Sequence, residues 1–308
     1  VPQKVRWDDL RELTGWQSTG EFVRADQIFR QINVRLADRL PAGSDVVVVR
    51  DQGLGDVLMA SVAVRALARA RPQLHVSFFT EKRYAPLFNG PWEAHGVGFL
   101  EEVRGRFQNA FDQRGLVERD GRKHVEDRKR IFCRNLGVPF PSPLDPPVFV
   151  SHEAEAQASA LLGPLLRFPV ALICPESSGG PRSFSEPLVN RLAKLAHARR
   201  MVPVVVGQRE AKREGVLDLT GRTDVPTLAA LVKRAAIVYA TDSGPMHLAG
   251  MLERPCVALF NEVDPALRCE GYGTVIPITV SGVIDGIDME TLKAATDEAV
   301  GIPVTIAA

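Results

Sequence analysis

Residues 46–72 read VVVVRDQGLGDVLMASVAVRALARARP, and this stretch decides the fold. Val46–Arg50 opens with four valines in a row, so no face is polar, and a run of that kind predicts a strand buried on both sides within a parallel sheet. Asp51–Asp56 (DQGLGD) is a glycine-bearing turn. From Val57 to Ala70 the apolar residues Val57, Leu58, Val62, Val64, Leu67 and Ala68 recur at helical spacing, and Pro72 closes the helix. His75–Thr80 (HVSFFT) reads as the next strand. Strand, helix and strand in that order make a βαβ unit, which builds a parallel sheet with helices on its faces.

A second alternating series lies downstream. Strands are expected at Val170–Cys174, Val202–Val206, Ile237–Ala240 and Cys256–Phe260, with Pro203 limiting how the second one pairs. Helices are expected at Glu186–Arg199, Thr227–Ala235 and Gly244–Leu252. The proline-rich residues 138–155 read as a linker between the two series. The expected architecture is α/β, with Rossmann-like domains over 44–150 and 151–308 facing each other across a cleft, behind a helical appendage over 1–43. Open α/β sheets bind ligands at the carboxyl ends of their strands, so the turns there are where chemistry is sought.

Composition narrows the classes. The chain has 308 residues, 45% apolar and 24% charged, enough for two cores. Lys and Arg total 38 against 37 Asp and Glu, a net charge of +1 that excludes general electrostatic capture of nucleic acid. No apolar run approaches the roughly 20 residues of a membrane-spanning helix, and VPQKVRWDDL has no apolar signal-peptide core, so a cytoplasmic location is expected. Cys133, Cys174, Cys256 and Cys269 have no CxxC spacing; buried thiols are expected, and no metal site.

Four constellations carry chemistry. Thr241–Ala249 (TDSGPMHLA) follows the strand IVYA and opens a helix, where unsatisfied N–H groups and the helix dipole favour an anion. Ser243 offers a hydroxyl there, Gly244 a close approach, Pro245 a first turn without a wasted donor, and His247 a ring one or two residues inside. These features describe a diphosphate cradle; the same residues also describe a plain helix capped by Asp242 or Ser243. In Arg50–Asp56, Asp56 is a candidate general base at the helix start, or its N-cap. The glycine spacing there lacks the third glycine of a dinucleotide fingerprint. Pro175–Phe184 (PESSGGPRSF) offers Ser177, Ser178 and the planar fork of Arg182 to phosphate oxygens, or is a flexible surface loop. Arg119–Arg130 (RDGRKHVEDRKR) is a basic run suited to a phosphorylated acceptor, or a solvated helix face.

Taken together these motifs resemble the bacterial lipopolysaccharide heptosyltransferases, glycosyltransferase family 9. The family's R-x-x-G-x-G-D signature is matched over Arg50–Pro72 and its D-[ST]-G-x-x-H-L signature over Asp242–Val257, with the approach LTGRTDVPTLAALVKRAAIVYA between them. Asp264–Pro265, Gly271–Gly273 and His124–Gly137 also fall where the family has similar residues. The resemblance covers about residues 44–280. It implies a GT-B fold, a nucleotide diphosphate sugar as donor substrate (an ADP-sugar favoured), and inversion without a metal or other cofactor. Carried over by motif, Asp56 is the catalytic base, and Asp242, Ser243, Gly244, His247, Ser177, Ser178 and Arg182 line the donor phosphates. Glu210, after Gly207, faces the donor ribose. Gly53, Gly55, Arg122 and Lys123 are assigned to the acceptor, a glycan or glycolipid that would bring the protein to the inner membrane surface.

Asn261–Glu262 depart from the family, which has a glycine and a small polar residue there, and the appendage is atypical. Within the transferases the acceptor stays open between a lipopolysaccharide core, another glycan, a secondary metabolite and a modified nucleic-acid base, and two rival classes also remain open at this point. One is a nucleotide-sugar epimerase, which would act on donor alone; the other is a silent nucleotide-sugar binder.

Overall fold

The computed structural model describes residues 40–88, 97–98, 109–145, 147–178, 180–209 and 213–301. The expected appendage therefore lies outside the described residues up to position 39. The chain divides into two compact units, with the boundary between Pro147 and Val148, inside the proline-rich stretch.

The first unit holds β1 (Asp45–Val49), α1 (Leu54–Ala70), β2 (His75–Phe79), β3 (Val97–Gly98), β4 (Asn109–Asp112), the single turn α2 (Leu116–Arg119) and α3 (Arg128–Asn135). Its sheet is parallel in the order β3-β2-β1-β4. The valines of β1 are fully buried, as a central parallel strand requires. α1 buries Val57, Leu58, Val62, Val64 and Leu67, and α3 packs beside it. The basic run 119–130 is not one helix: it spans the end of α2, a turn and the start of α3.

The second unit holds α4 (His152–Leu162), β5 (Val170–Ile173), α5 (Glu186–Ala198), β6 (Val202–Val205), β7 (Leu217–Asp218), α6 (Val225–Arg234), β8 (Ile237–Thr241), α7 (Gly244–Met251), β9 (Cys256–Phe260), β10 (Val275–Thr279) and α8 (Met289–Gly301). Its parallel sheet runs β10-β9-β8-β5-β6-β7. Pro203 pairs with Ala171 of β5, while β7 joins β6 only from Val204 onward, clear of the missing N–H.

Helix starts follow local chemistry. Ser151, Ser185 and Asp224 each accept a hydrogen bond from a backbone N–H three residues on, contacts worth about 1 kcal/mol apiece. The first of these shortens the expected linker, because Ser151 caps α4 within 138–155. Burial pushes the Cys133 thiol up to about 12 and the Cys256 thiol well above its ordinary value, so both stay protonated and unreactive at neutral pH.

Both sheets reverse direction once. From β1 the chain builds outward to β2 and β3, then returns to the other side as β4. From β5 it builds to β6 and β7, then returns as β8, β9 and β10. At such a switch point the loops leaving neighbouring strands diverge and open a crevice at their carboxyl ends. The loops concerned are 50–53 and 113–115 in the first unit, and 174–185 and 242–243 in the second.

Candidate active site

Asp56 stands at the first switch point. Gly53, with φ of 76°, occupies the N-cap position of α1 and makes no side-chain cap, so Asp56 is a third helical residue and not the N-cap. Positive φ favours glycine, and a Cβ at Gly53 would lie 3.3 Å from Asp56 Oδ2. The helix N-terminus favours a carboxylate in this turn. Arg50 Nη2 donates to Oδ2 at 2.9 Å, and Arg128 Nη1, from the start of α3, donates to Oδ1 at 2.8 Å. Arg50 is itself fixed from below: Nη1 donates to the carbonyl of Gln113 at 3.2 Å, and its guanidinium lies 5.9 Å from the Phe132 ring centre. Glu118 Oε1 approaches Arg50 Nη2 at 3.7 Å. The Asp56 side chain keeps 17% of its surface exposed, and with one guanidinium on each oxygen it still has lone pairs for an incoming hydroxyl.

The three consecutive cations Arg128, Lys129 and Arg130 go three ways. Arg128 reaches Asp56, Lys129 Nζ donates to Asp127 Oδ2 at 3.0 Å with both side chains fully buried, and Arg130 lies outside over the Phe140 ring. Gly55 is the second residue of α1. Arg122 is exposed on the turn after α2, its N–H held by Asp120 Oδ1 at 2.8 Å, and Lys123 Nζ donates to the Glu118 carbonyl at 2.9 Å.

The second switch point gathers the other motif residues. Ser243 holds the N-cap position of α7, yet its hydroxyl does not cap the helix and donates instead to the Thr241 carbonyl at 3.3 Å. The α7 N-terminus, opened by Gly244 and Pro245, therefore carries no side-chain cap. Asp242 is buried. Arg182 Nη1 donates to its Oδ2 and to its backbone carbonyl, both at 3.1 Å, and Arg268 Nε approaches Oδ1 at 3.4 Å. Arg182 Nη2 reaches Ser178 Oγ at 3.4 Å, while Ser177 N–H donates to Ser183 Oγ at 3.2 Å. The Phe184 N–H donates to the Pro175 carbonyl at 2.8 Å and so ties the end of this loop to its start.

His247 is the fourth residue of α7 and is buried. Its Nδ1 lies 3.1 Å from the Tyr272 hydroxyl, with the rings edge to face. Tyr272 reaches it by lying against Gly250, where an added Cβ would come within 2.4 Å of the ring. Glu176 joins the loops after β5 and β6: it accepts from the Gln208 N–H at 2.9 Å and the Arg209 N–H at 2.7 Å, and a Cβ at Gly207 would collide with it. Glu210 lies outside the described residues.

Arg50, Arg128, Arg268, Tyr272 and Glu262 belong to these clusters and were not singled out as site residues from sequence. Arg50 had a signal, since it opens the R-x-x-G-x-G-D pattern. Arg128 had a weak one as part of the basic run 119–130, and Glu262 one as part of the departure at 261–262, whereas Arg268 had none, because only the fold carries it to its aspartate.

Residues 85–281, more than half of the chain, match the family described as Glycosyltransferase family 9 (heptosyltransferase). The chain belongs to glycosyltransferase family 9. It is a glycosyltransferase, and its fold is the α/β GT-B type. The matched span includes the turn at Asp242–His247 and leaves out Arg50–Asp56. Among solved structures, a family 9 glycosyl transferase from Veillonella parvula shares 15% identity and a TM-score of 0.66, covering 85% of this chain and 98% of that one. The ADP-heptose LPS heptosyltransferase II of E. coli shares 16% identity and a TM-score of 0.68, covering 83% and 98%. TibC of enterotoxigenic E. coli, an iron-containing dodecameric glycosyltransferase, shares 13% identity and a TM-score of 0.63, covering 79% of this chain and 65% of that one. No curated protein matches the chain.

Proposed function

We propose that this family 9 glycosyltransferase moves a heptose or related sugar from a nucleotide diphosphate donor, an ADP-sugar by preference, to an acceptor hydroxyl, with inversion at the anomeric carbon. The observation that carries the reading is the Asp56 carboxylate in the first turn of α1, held by Arg50 and Arg128 and still partly exposed at a sheet switch point. The acceptor oxygen attacks C1, its proton passes to Asp56, and the C1–O bond to phosphate breaks with the electron pair leaving on the diphosphate. The uncapped start of α7 and the Arg182 guanidinium supply N–H donors for the charge that develops there, so the phosphates are neutralised by protein groups and no metal ion is invoked. Ser177, Ser178, Asp242, Ser243, Gly244, His247 and Glu210 remain assigned to the donor. Asp242 orients Arg182 and so serves the donor through it, because its carboxylate and a phosphate carry like charge and would repel at direct contact.

Gly53, Gly55, Arg122 and Lys123 remain assigned to the acceptor. A glycan of the lipopolysaccharide-core kind fits the ADP-heptose enzyme that the chain resembles, and would bring the protein to the cytoplasmic membrane surface. Among the described residues, no helix is long and apolar enough to cross a membrane.

The test is calorimetric titration of the full chain with ADP, GDP, UDP and CDP, followed by a turnover assay with the matching sugar donor and a heptose-deficient core glycan. ADP-selective binding and acceptor-dependent ADP release are expected. Absence of binding by all four in the folded protein sinks the reading.

A further inference from the structure

Among the residues around Arg182, one has no part in the reading above. Glu262 follows β9, where the sequence departs from its family resemblance, and its Oε2 lies 3.3 Å from Arg182 Nε. The pair is close without hydrogen-bond alignment, and Arg182 Nε–H is a buried donor with no acceptor. A buried donor left unmade is costly, so this side of the guanidinium is the one where a better-placed anion gains most.

The rest of Arg182 is anchored. Nη1 is held twice by buried Asp242, and Nη2 points to Ser178. Glu262 is different: its side chain is 46% exposed, and among the described residues Arg182 is its only ion-pair partner. Its backbone is fixed by its neighbour, because Asn261 Nδ2 donates to the Pro181 and Gly282 carbonyls at 3.1 Å each. The loop that carries Arg182 and the loop that carries Glu262 are thereby tied together, and exchange at Nε needs only a rotation of the Glu262 side chain. Charge points the same way. Arg182 and Arg268 are balanced by Asp242 and Glu262, so a diphosphate meets a neutral cluster until one carboxylate leaves.

We propose that Glu262 is a displaceable counter-ion of Arg182, a specificity-determining residue that occupies the guanidinium in the empty domain and yields it to the donor diphosphate. This rests on the donor-site reading above. The consequence is selection by charge: a weakly anionic ligand does not displace Glu262, whereas a diphosphate does at a cost in affinity.

The experiment titrates ADP, inorganic pyrophosphate and adenosine into the full-length wild type, E262Q, E262A and E262D, with thermal unfolding run on each to establish that it is folded. Both E262Q and E262A are expected to bind ADP and pyrophosphate about two- to fivefold more tightly than wild type, the range of a partly exposed ion pair, with adenosine unchanged. E262D, which keeps the charge, should stay near wild type. In the R182A background, E262Q should gain nothing, since the carboxylate then has no guanidinium to guard. Unchanged or weaker ADP and pyrophosphate binding in E262Q overturns the proposal; weaker binding would make Glu262 a direct ligand of the donor. If wild type binds neither ADP nor pyrophosphate, the donor-site reading falls and this proposal with it. If wild type binds both and E262Q matches it, only the counter-ion role fails.

Discussion

The two domains build the same cluster in two ways. In each, an aspartate at a sheet switch point has an arginine on either carboxylate oxygen: Arg50 and Arg128 around Asp56, Arg182 and Arg268 around Asp242. In each, a more exposed glutamate leans on one of those arginines, Glu118 on Arg50 and Glu262 on Arg182. The difference is which group faces out. The Asp56 side chain is 17% exposed between a buried Arg50 and an Arg128 that is 26% exposed, whereas the Asp242 side chain is 6% exposed beneath an Arg182 that is 21% exposed. Asp56 is already inside its helix, and Asp242 precedes the N-cap residue of its own. Asp56 lies two residues past the first residue of its helix and Asp242 two residues before the first residue of its own, so the two aspartates meet a helix start from opposite sides. A presented carboxylate suits proton transfer, and a presented cation suits phosphate.

The largest effect that bears on this contrast is at Asp56. D56N should lower turnover about 10²- to 10⁴-fold with ADP affinity retained, the signature of a lost general base. Near-normal turnover would end the functional half of the comparison. At the other cluster the pattern should invert: R182A is expected to weaken ADP binding by about ten- to a hundredfold, the scale of charged hydrogen bonds, which calorimetry reads directly. Equal losses of binding in D56N and R182A would mean that the two clusters do not divide the labour.

A smaller effect tests the packing behind α7. G250A forces a Cβ to within 2.4 Å of the Tyr272 ring and should cost about 1–3 kcal/mol in urea unfolding, with His247 losing its fixed partner. Wild-type stability there would show that Tyr272 moves freely. The smallest effect is at Asp218. Burial opposes its charge, but hydrogen bonds from Thr220 and the Arg213 guanidinium prevail and hold its pKa below the usual 3.8. Its contribution is therefore complete above that pH and lost as pH falls through the folded-state pKa. D218N should lower stability by no more than about 1 kcal/mol at pH 7, and the gap from wild type should close in acid. A gap that persists at low pH would make the loss one of packing and not of charge.

Much of the fold was legible because its signals are local. Four valines in succession, the helical spacing through Leu67 and the strand CVALF each predict an element from neighbours alone, and β9 runs Cys256–Phe260 as read. Strands β3, β4, β7 and β10 and helices α2, α4 and α8 were missed. β4 and β10 are edge strands, where burial dictates less of the pattern, and the prolines around α4 masked its serine cap.

By itself, the sequence determined the alternation of strands and helices, the glycine turns that end them, and two motifs that resemble those of glycosyltransferase family 9. Those properties depend on residues within a few positions of one another. Only the tertiary structure decided which cations meet which carboxylates. Arg128 is 72 residues from Asp56 and Arg182 is 60 from Asp242, so their pairing depends on the strand order that brings distant loops to one switch point. Tertiary structure also turned Asn261–Glu262 from an odd pair of letters into a tie between two loops and a charge beside Arg182.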